Sequence, residues 1–357
     1  MAFSVIPFFI LWILKKPYMK KIVVIITILI FTATSYAIKI DSSYIKCFDK
    51  KTFTIKFFLG LKSSELGLRN NEVNKTLKLV PNVNNTINLG FSYKWLGLSL
   101  GFTPPISKRD DWKYGKTQKF DFQFNAYGKW FVAKTYFQIY KGFYVSNPQT
   151  FIKDWNKEVY PQVPSARTLN LGGNFLWVIG SKHFSVKSIY VMNELQKKSS
   201  NSPLLGLGFN LSQGSSDYYF APQEWVATHV LDTLHLLKSY GIMSFYPLYG
   251  GWTWLKVWGA GKFFINFSFT IGLGGSFGYG QIYYKNKTSS IPSGGFAVST
   301  DAKLGLGGNI GKNDRFYWQL YLLASTYNYD IGKYYKISPL VKSSRLGFGY
   351  RFFPKRK

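Results

Sequence analysis

Three histidines, His183, His229 and His235, are the whole stock of imidazole in 357 residues. Two of them fall in EWVATHVLDTLHLLKSYG (224–241), near Ser215, Ser216, Asp217 and Asp232. A serine activated by a histidine, itself oriented by a third polar group, is the constellation of a hydrolase. Here its substrate would be lipid. The same stretch also reads as a short amphipathic helix, with Trp225, Val226, Val230, Leu231, Leu234 and Leu237 on an approximate 3.6-residue period. His229 and His235 stand six apart, off the i,i+4 spacing that puts two metal ligands on one helical face. With Cys47 the only cysteine, neither a disulfide framework nor a transition-metal site is expected, and the thiol is expected to be buried or inert.

Other residue groups carry weaker chemistry. SKRDDWKYGK (107–116) gathers Lys108, Arg109, Asp110, Asp111, Lys113 and Lys116. Paired carboxylates can bind Ca²⁺ or exchange protons, but such a run also balances its own charges as a solvated loop, which is the favoured reading. The glycines of GLGGSFGYG (272–280) lack the Lys-Ser/Thr and the helix of a phosphate loop. GGWTWLKVWGAGK (250–262) sets Trp252, Trp254 and Trp258 together, as a sugar platform or, by default, an interfacial belt. No catalytic residue, cofactor or metal ligand is assigned, and no enzymatic activity is expected.

The elements that must position these residues have a period of two. In KFDFQFNAY (119–127), Phe120, Phe122, Phe124 and Ala126 share one face while Asp121, Gln123 and Asn125 share the other. KFFINFSFTIGL (262–273), TFTIKFFLGLK (52–62) and TINLGFSYK (86–94) alternate likewise. A soluble sandwich would show the same pattern. Three features favour a membrane-spanning barrel: segments near the ~9–11 residues a tilted strand needs, apolar faces rich in aromatics (19% of all residues), and charged or amide residues mid-strand on the other face. Fourteen strands can be placed, near 52–68, 85–94, 96–104, 117–128, 130–145, 166–179, 183–194, 203–212, 239–249, 262–273, 277–284, 297–309, 314–328 and 342–353. Short turns, among them GGSF (274–277), alternate with longer loops. The expected fold is all-β, an antiparallel up-and-down transmembrane barrel of about 14 strands, alternatively 12, with one short helical segment near 223–238. The rhythm breaks at 213–238, a long connection where a short turn is due and a candidate plug.

MKKIVVIITILIFTATSYA (19–37) has the basic, apolar and small-x-small regions of a secretory signal, with cleavage near Ala37. Residues 1–18 read as an extension before the start at Met19, 38–51 as a periplasmic lead, 52–353 as the barrel and 354–357 as a basic tail. Removing 1–37 takes away four lysines and no acids, so the net charge of +29 becomes +25. The charge is dispersed rather than gathered in a helix or arm, which argues against nucleic acid and for anionic headgroups or solutes. Alternation turns Lys56, Lys62, Lys134, Lys303 and Arg351 toward the lumen.

The chain ends RLGFGYRFF (345–353). Arg345, Gly347, Tyr350 and Phe352 resemble the closing-strand pattern that outer-membrane barrels offer to the assembly machinery, although a basic tail follows Phe353. Leu346, Phe348, Tyr350 and Phe352 would face lipid and Gly347, Gly349 and Arg351 the lumen. LVPNVNNTINLGFSYKWLGLSLGF (79–102), YKGFYVSNP (140–148) and FSVKSIYVMNELQKKSSNSPLLGLGF (184–209) resemble the bacterial outer-membrane barrels grouped as domain of unknown function 4421. The resemblance implies a Gram-negative outer membrane, with lipid and lipopolysaccharide as surroundings, and no activity. The expectation is a passive pore or structural surface protein with a basic, anion-favouring lumen. The alternatives are a lipid-modifying Ser/His hydrolase, or an adhesin using loops 146–165 and 250–261.

Overall fold

Along each strand the usual burial rule is inverted. Ile55, Phe57, Leu59 and Leu61 are 47, 41, 51 and 55% exposed, while Lys56 and Lys62 on the opposite face are only 6 and 3% exposed. A wall with its apolar face outward and its polar face hidden is stable when hydrocarbon bathes the outside and the ladder closes on itself. The computed structural model describes residues 40–354 apart from 49–50, 83–85, 95, 103–109, 154, 223–224, 226–235, 286 and 312. The extension 1–18 and the signal segment 19–37 thus lie outside the described residues.

In chain order the elements are β1 (Ile45–Cys47), β2 (Phe53–Asn70), β3 (Lys75–Val80), β4 (Thr86–Tyr93), β5 (Leu96–Phe102), α1 (Asp111–Tyr114), β6 (Gln118–Tyr127), β7 (Phe131–Val145) and β8 (Gln162–Val178). Then come α2 (Val186–Tyr190), β9 (Glu194–Gln196), β10 (Ser200–Ser215), β11 (Leu236–Trp258), β12 (Phe263–Tyr284), β13 (Lys287–Ile310), β14 (Phe316–Ile331) and β15 (Tyr335–Phe352). β1 and β9 pair with each other, and the other thirteen strands form one antiparallel sheet. All 18 residues of β2 pair with β15, from Phe53↔Phe352 to Asn70↔Tyr335, which closes the ring.

β3 and β4 lie end to end along the same edge of β2, β3 against Leu66–Asn70 and β4 against Phe53–Gly60, so they form one interrupted stave. The thirteen strands therefore make twelve staves, the smaller of the two expected numbers. β5 and β6 stop short of one rim, where β3 pairs directly with β7 and ten strands close the ring. We call the end holding Phe53 and Phe352 the terminal end, and the opposite end the loop end.

Two of the expected strands account for the difference in number. Residues 183–194 are not a wall strand but α2 and its flanks, inside the barrel. Residues 262–273 and 277–284 are one strand, with GGSF (274–277) paired on both sides in mid-strand. A Cβ at Gly274 would lie 1.9 Å from the Phe245 carbonyl oxygen, so this glycine serves close strand approach rather than a turn. With 183–194 removed from the count the break in the rhythm disappears: residues 216–235 connect β10 to β11 at the loop end. The helix expected near 223–238 falls outside the described residues except at Trp225, while Leu236–Lys238 belong to β11. Loops expected at 250–261, 285–296 and 329–341 are largely strand. β13 is 24 residues long, roughly 80 Å at 3.3 Å per residue. It overshoots a hydrocarbon layer of about 30 Å. Among the described residues no helix is long and apolar enough to cross a membrane.

β15 faces as its alternation requires. Leu346, Phe348 and Phe352 are exposed outward and Arg351 is fully buried. Gly347 leaves room for the Phe58 ring, which a Cβ would meet at 2.1 Å.

Candidate functional site

The segment between β8 and β10 turns back into the barrel at the terminal end. Ser185 caps α2, its Oγ accepting from the Ser188 N–H at 3.1 Å and donating to Glu194, while Lys187 lies 3.5 Å from the same carboxylate. The helix ends after one turn at Tyr190, and Met192, just past its C-cap Val191, has a left-handed φ of +61°. The last carbonyls here have no helical partner and need donors. The wall supplies them: Gln319 Nε2 and Tyr321 OH donate to Ile189 O, Lys56 Nζ to Tyr190 O, Thr54 Oγ1 to Val191 O at 3.3 Å, and Arg351 Nε to Met192 O. Phe184, Val186, Ile189, Val191 and Met192 are buried against inward residues such as Val132 and Leu176. This segment plugs the terminal end; of the candidate plug 213–238, residues 223–224 and 226–235 lie outside the described residues. β1 pairs with β9 beneath it, and Asp41 lies 3.3 Å from His183 Nε2. Hydrogen bonds from Ser43 hold the Asp41 carboxyl below its ordinary value, with His183 and Lys182 adding to the effect.

Above the plug lies a cavity of about 250 Å³. Lys56, Lys62, Lys134, Lys303 and Arg345 line it, with Asp301 as the carboxylate on its wall. Lys62 pairs with Asp121, which also accepts from Gln138 Nε2 at 3.3 Å. Asp301 accepts from Tyr249 OH and Ser325 Oγ. Lys134 and Lys303 line the same wall, and Lys134 Nζ lies 4.8 Å from the centre of the Tyr190 ring. At the loop end the lumen is filled by apolar side chains: Phe220 and Trp225 from the β10–β11 connection pack with Phe151, Leu68, Leu236 and Tyr335.

The alternation thus placed Lys56, Lys62, Lys134 and Lys303 correctly in the chamber. Arg351 also faces inward but serves the plug, donating to Asn309 Oδ1 at 2.7 Å as well as to Met192 O. Arg345 and Asp301 were not picked out as chamber residues, although each shares strand parity with one that was. Ser215 Oγ accepts from Arg167 Nε at 2.8 Å and Ser216 Oγ meets Ser165 Oγ at 2.9 Å. His229, His235 and Asp232 lie outside the described residues, and His183 sits at the opposite end. Asp111 accepts from Asn82 Nδ2 at 3.2 Å, while Lys108 and Arg109 are outside the described residues. Trp252, Trp254 and Trp258 stand on the outer face of β11, Trp254 stacked on Phe267 at 5.7 Å. Cys47 is exposed on β1, where a buried thiol was one expectation. Among the described residues no group of three or more His, Cys, Asp or Glu is placed to hold a metal.

A closed antiparallel ring, an outward apolar face and a charged interior define a β-barrel of the outer-membrane type, here with an internal plug. The chain belongs to the family described as Domain of unknown function (DUF4421), whose model matches residues 39–352. Among solved structures it is similar to the outer membrane protease OmpT from Escherichia coli, with TM-score 0.41 and 9% identity over 85% of this chain and 98% of that one. It is also similar to the toluene transporter TodX of Pseudomonas putida (TM-score 0.27, 6% identity, 84% and 89%) and to OprG of Pseudomonas aeruginosa (0.24, 10%, 88% and 100%). No curated protein matches it.

Proposed function

We propose that the protein is exported to the outer membrane and takes small anions into a gated, basic lumen, acting by binding and passage rather than by bond-making chemistry. The charge of the chamber carries this reading. Five cationic side chains converge on it against two carboxylates, Asp301 and the Asp121 paired with Lys62, which leaves an excess of three positive charges. Charges held away from water are costly unless countered, and an anion is the counter-charge the chamber lacks. The plug would be the gate at the terminal end. Residues 19–37 would direct export, with cleavage near Ala37. Arg345, Gly347, Tyr350 and Phe352 would be read by the assembly machinery, and the belt would meet lipid and lipopolysaccharide.

Single-channel recording of the refolded protein in a planar bilayer tests this. The intact barrel should be mostly silent, and Arg351→Ala with Gln319→Ala, which loosens the plug, combined with Phe220→Ala, which opens the loop-end mouth, should give discrete openings with a reversal potential favouring anions. Cation-selective openings, or silence after both ends are shown to be released, would defeat it.

A further inference from the structure

The chamber's chemistry allows its ligand to be described more closely. Lys134 on β7 and Lys303 on β13 both line the chamber, with Asp301 the carboxylate whose charge acts on both. Asp301, two residues from Lys303, is engaged by Tyr249 and Ser325. Asp301 alone cannot balance both lysines and Arg345, so the pair is arranged for an oxyanion that accepts from both. Arg345 faces the same space with its Nε given to Ser343 Oγ at 3.0 Å.

An inorganic oxyanion would fill only part of the volume, since a water's share is about 30 Å³ and the cavity holds about 250 Å³. The rest of the lining mixes hydrogen-bonding side chains with apolar ones such as Phe58, Leu322, Leu323 and Val341, as the polar rim and apolar faces of a sugar ring require. Gln123, Asn125, Asn170 and Asn174 turn amides into the chamber. Asn174 Oδ1 is buried without a partner. Tyr136 OH, 2.9 Å from Tyr327 OH, lies on the same wall. Amides and phenols offer donors and acceptors side by side, as hydroxyl groups require.

From this geometry we infer that the chamber binds a monosaccharide-sized polyhydroxylated anion, its phosphate or carboxylate on Lys134 and Lys303 and its hydroxyls on the amides. This rests on the reading of the lumen as anion-binding, and it does not need the plug to open in a bilayer.

Isothermal calorimetry tests it on the full barrel in detergent, with each probe also added before refolding so that access is not limiting. Glucose 6-phosphate and glucuronate should bind saturably, and inorganic phosphate and glucose more weakly, by about tenfold or more for each group removed. Lys134→Gln and Lys303→Gln should each weaken the anionic sugars by a similar factor while leaving heat-modifiable mobility intact. Glucose binding as tightly as its phosphate, inorganic phosphate binding as tightly as the sugar phosphate, or affinity unchanged in the double variant would overturn the inference. Absence of binding alongside anion-selective current in the bilayer would overturn it and leave the conduit reading standing.

Discussion

The two ends of the barrel are shut by opposite means. At the terminal end, side-chain donors on the wall reach the carbonyls of Ile189 to Met192. At the loop end, Phe220, Trp225 and Phe151 fill the mouth by apolar contact. A hydrogen bond contributes about 0.5–1.5 kcal/mol net, more when the donor is charged, and only in one geometry. Apolar burial contributes about 25 cal/mol per Å² and imposes no register. The plug can therefore be released by losing a few defined bonds, whereas the loop end opens only by exposing a broad apolar surface.

The largest expected effect breaks the apolar end. Phe220→Ala removes a buried ring from that mouth and should cost about 4 kcal/mol, read as a fall in the midpoint of denaturant unfolding on heat-modifiable gels. Conductance should stay silent, because the plug is untouched. Arg351→Ala removes the donor to Met192 O and Asn309 Oδ1 and should cost about 2–3 kcal/mol. Unlike Phe220→Ala, it should bring protease sensitivity to 183–196, and intermittent current once Phe220→Ala is added to it. If the two variants behave alike, the contrast between the ends is lost. Gln319→Ala removes one of two donors to Ile189 O and should cost about 1 kcal/mol, detectable as faster hydrogen exchange in the plug. The smallest effect concerns Asp41. Because its carboxyl is held low, its contribution is present above the ordinary 3.8 and is lost as the pH falls through the lower folded value. Exchange protection of 40–48 should weaken there in the native chain and be insensitive to pH in Asp41→Asn.

Most of the wall was legible because a pleated strand between lipid and a wet lumen must alternate, and β2, β4 to β8 and β10 to β15 each overlap an expected strand. The plug was not. FSVKSIYVM (184–192) puts Phe184, Val186, Ile189, Val191 and Met192 in a run too short for periodicity to separate a strand from one helical turn. The capping Ser185 was the available signal. In the chamber, the lysines could be found by parity along single strands. Their counter-charges could not, since Lys62 on β2 meets Asp121 on β6, and that contact depends on how non-adjacent staves curve around the ring.

The donors that hold the plug come from Thr54 and Lys56 on β2, Gln319 and Tyr321 on β14, and Arg351 on β15. They stand on both sides of the line where the first and last staves meet. That seam is the one place where the hoop can part without cutting the chain between neighbouring staves. The plug lies across it as a clasp, gripping both margins from within. Withdrawing the plug would therefore unlock the barrel sideways as well as lengthwise, so occlusion and hoop strength rise and fall together.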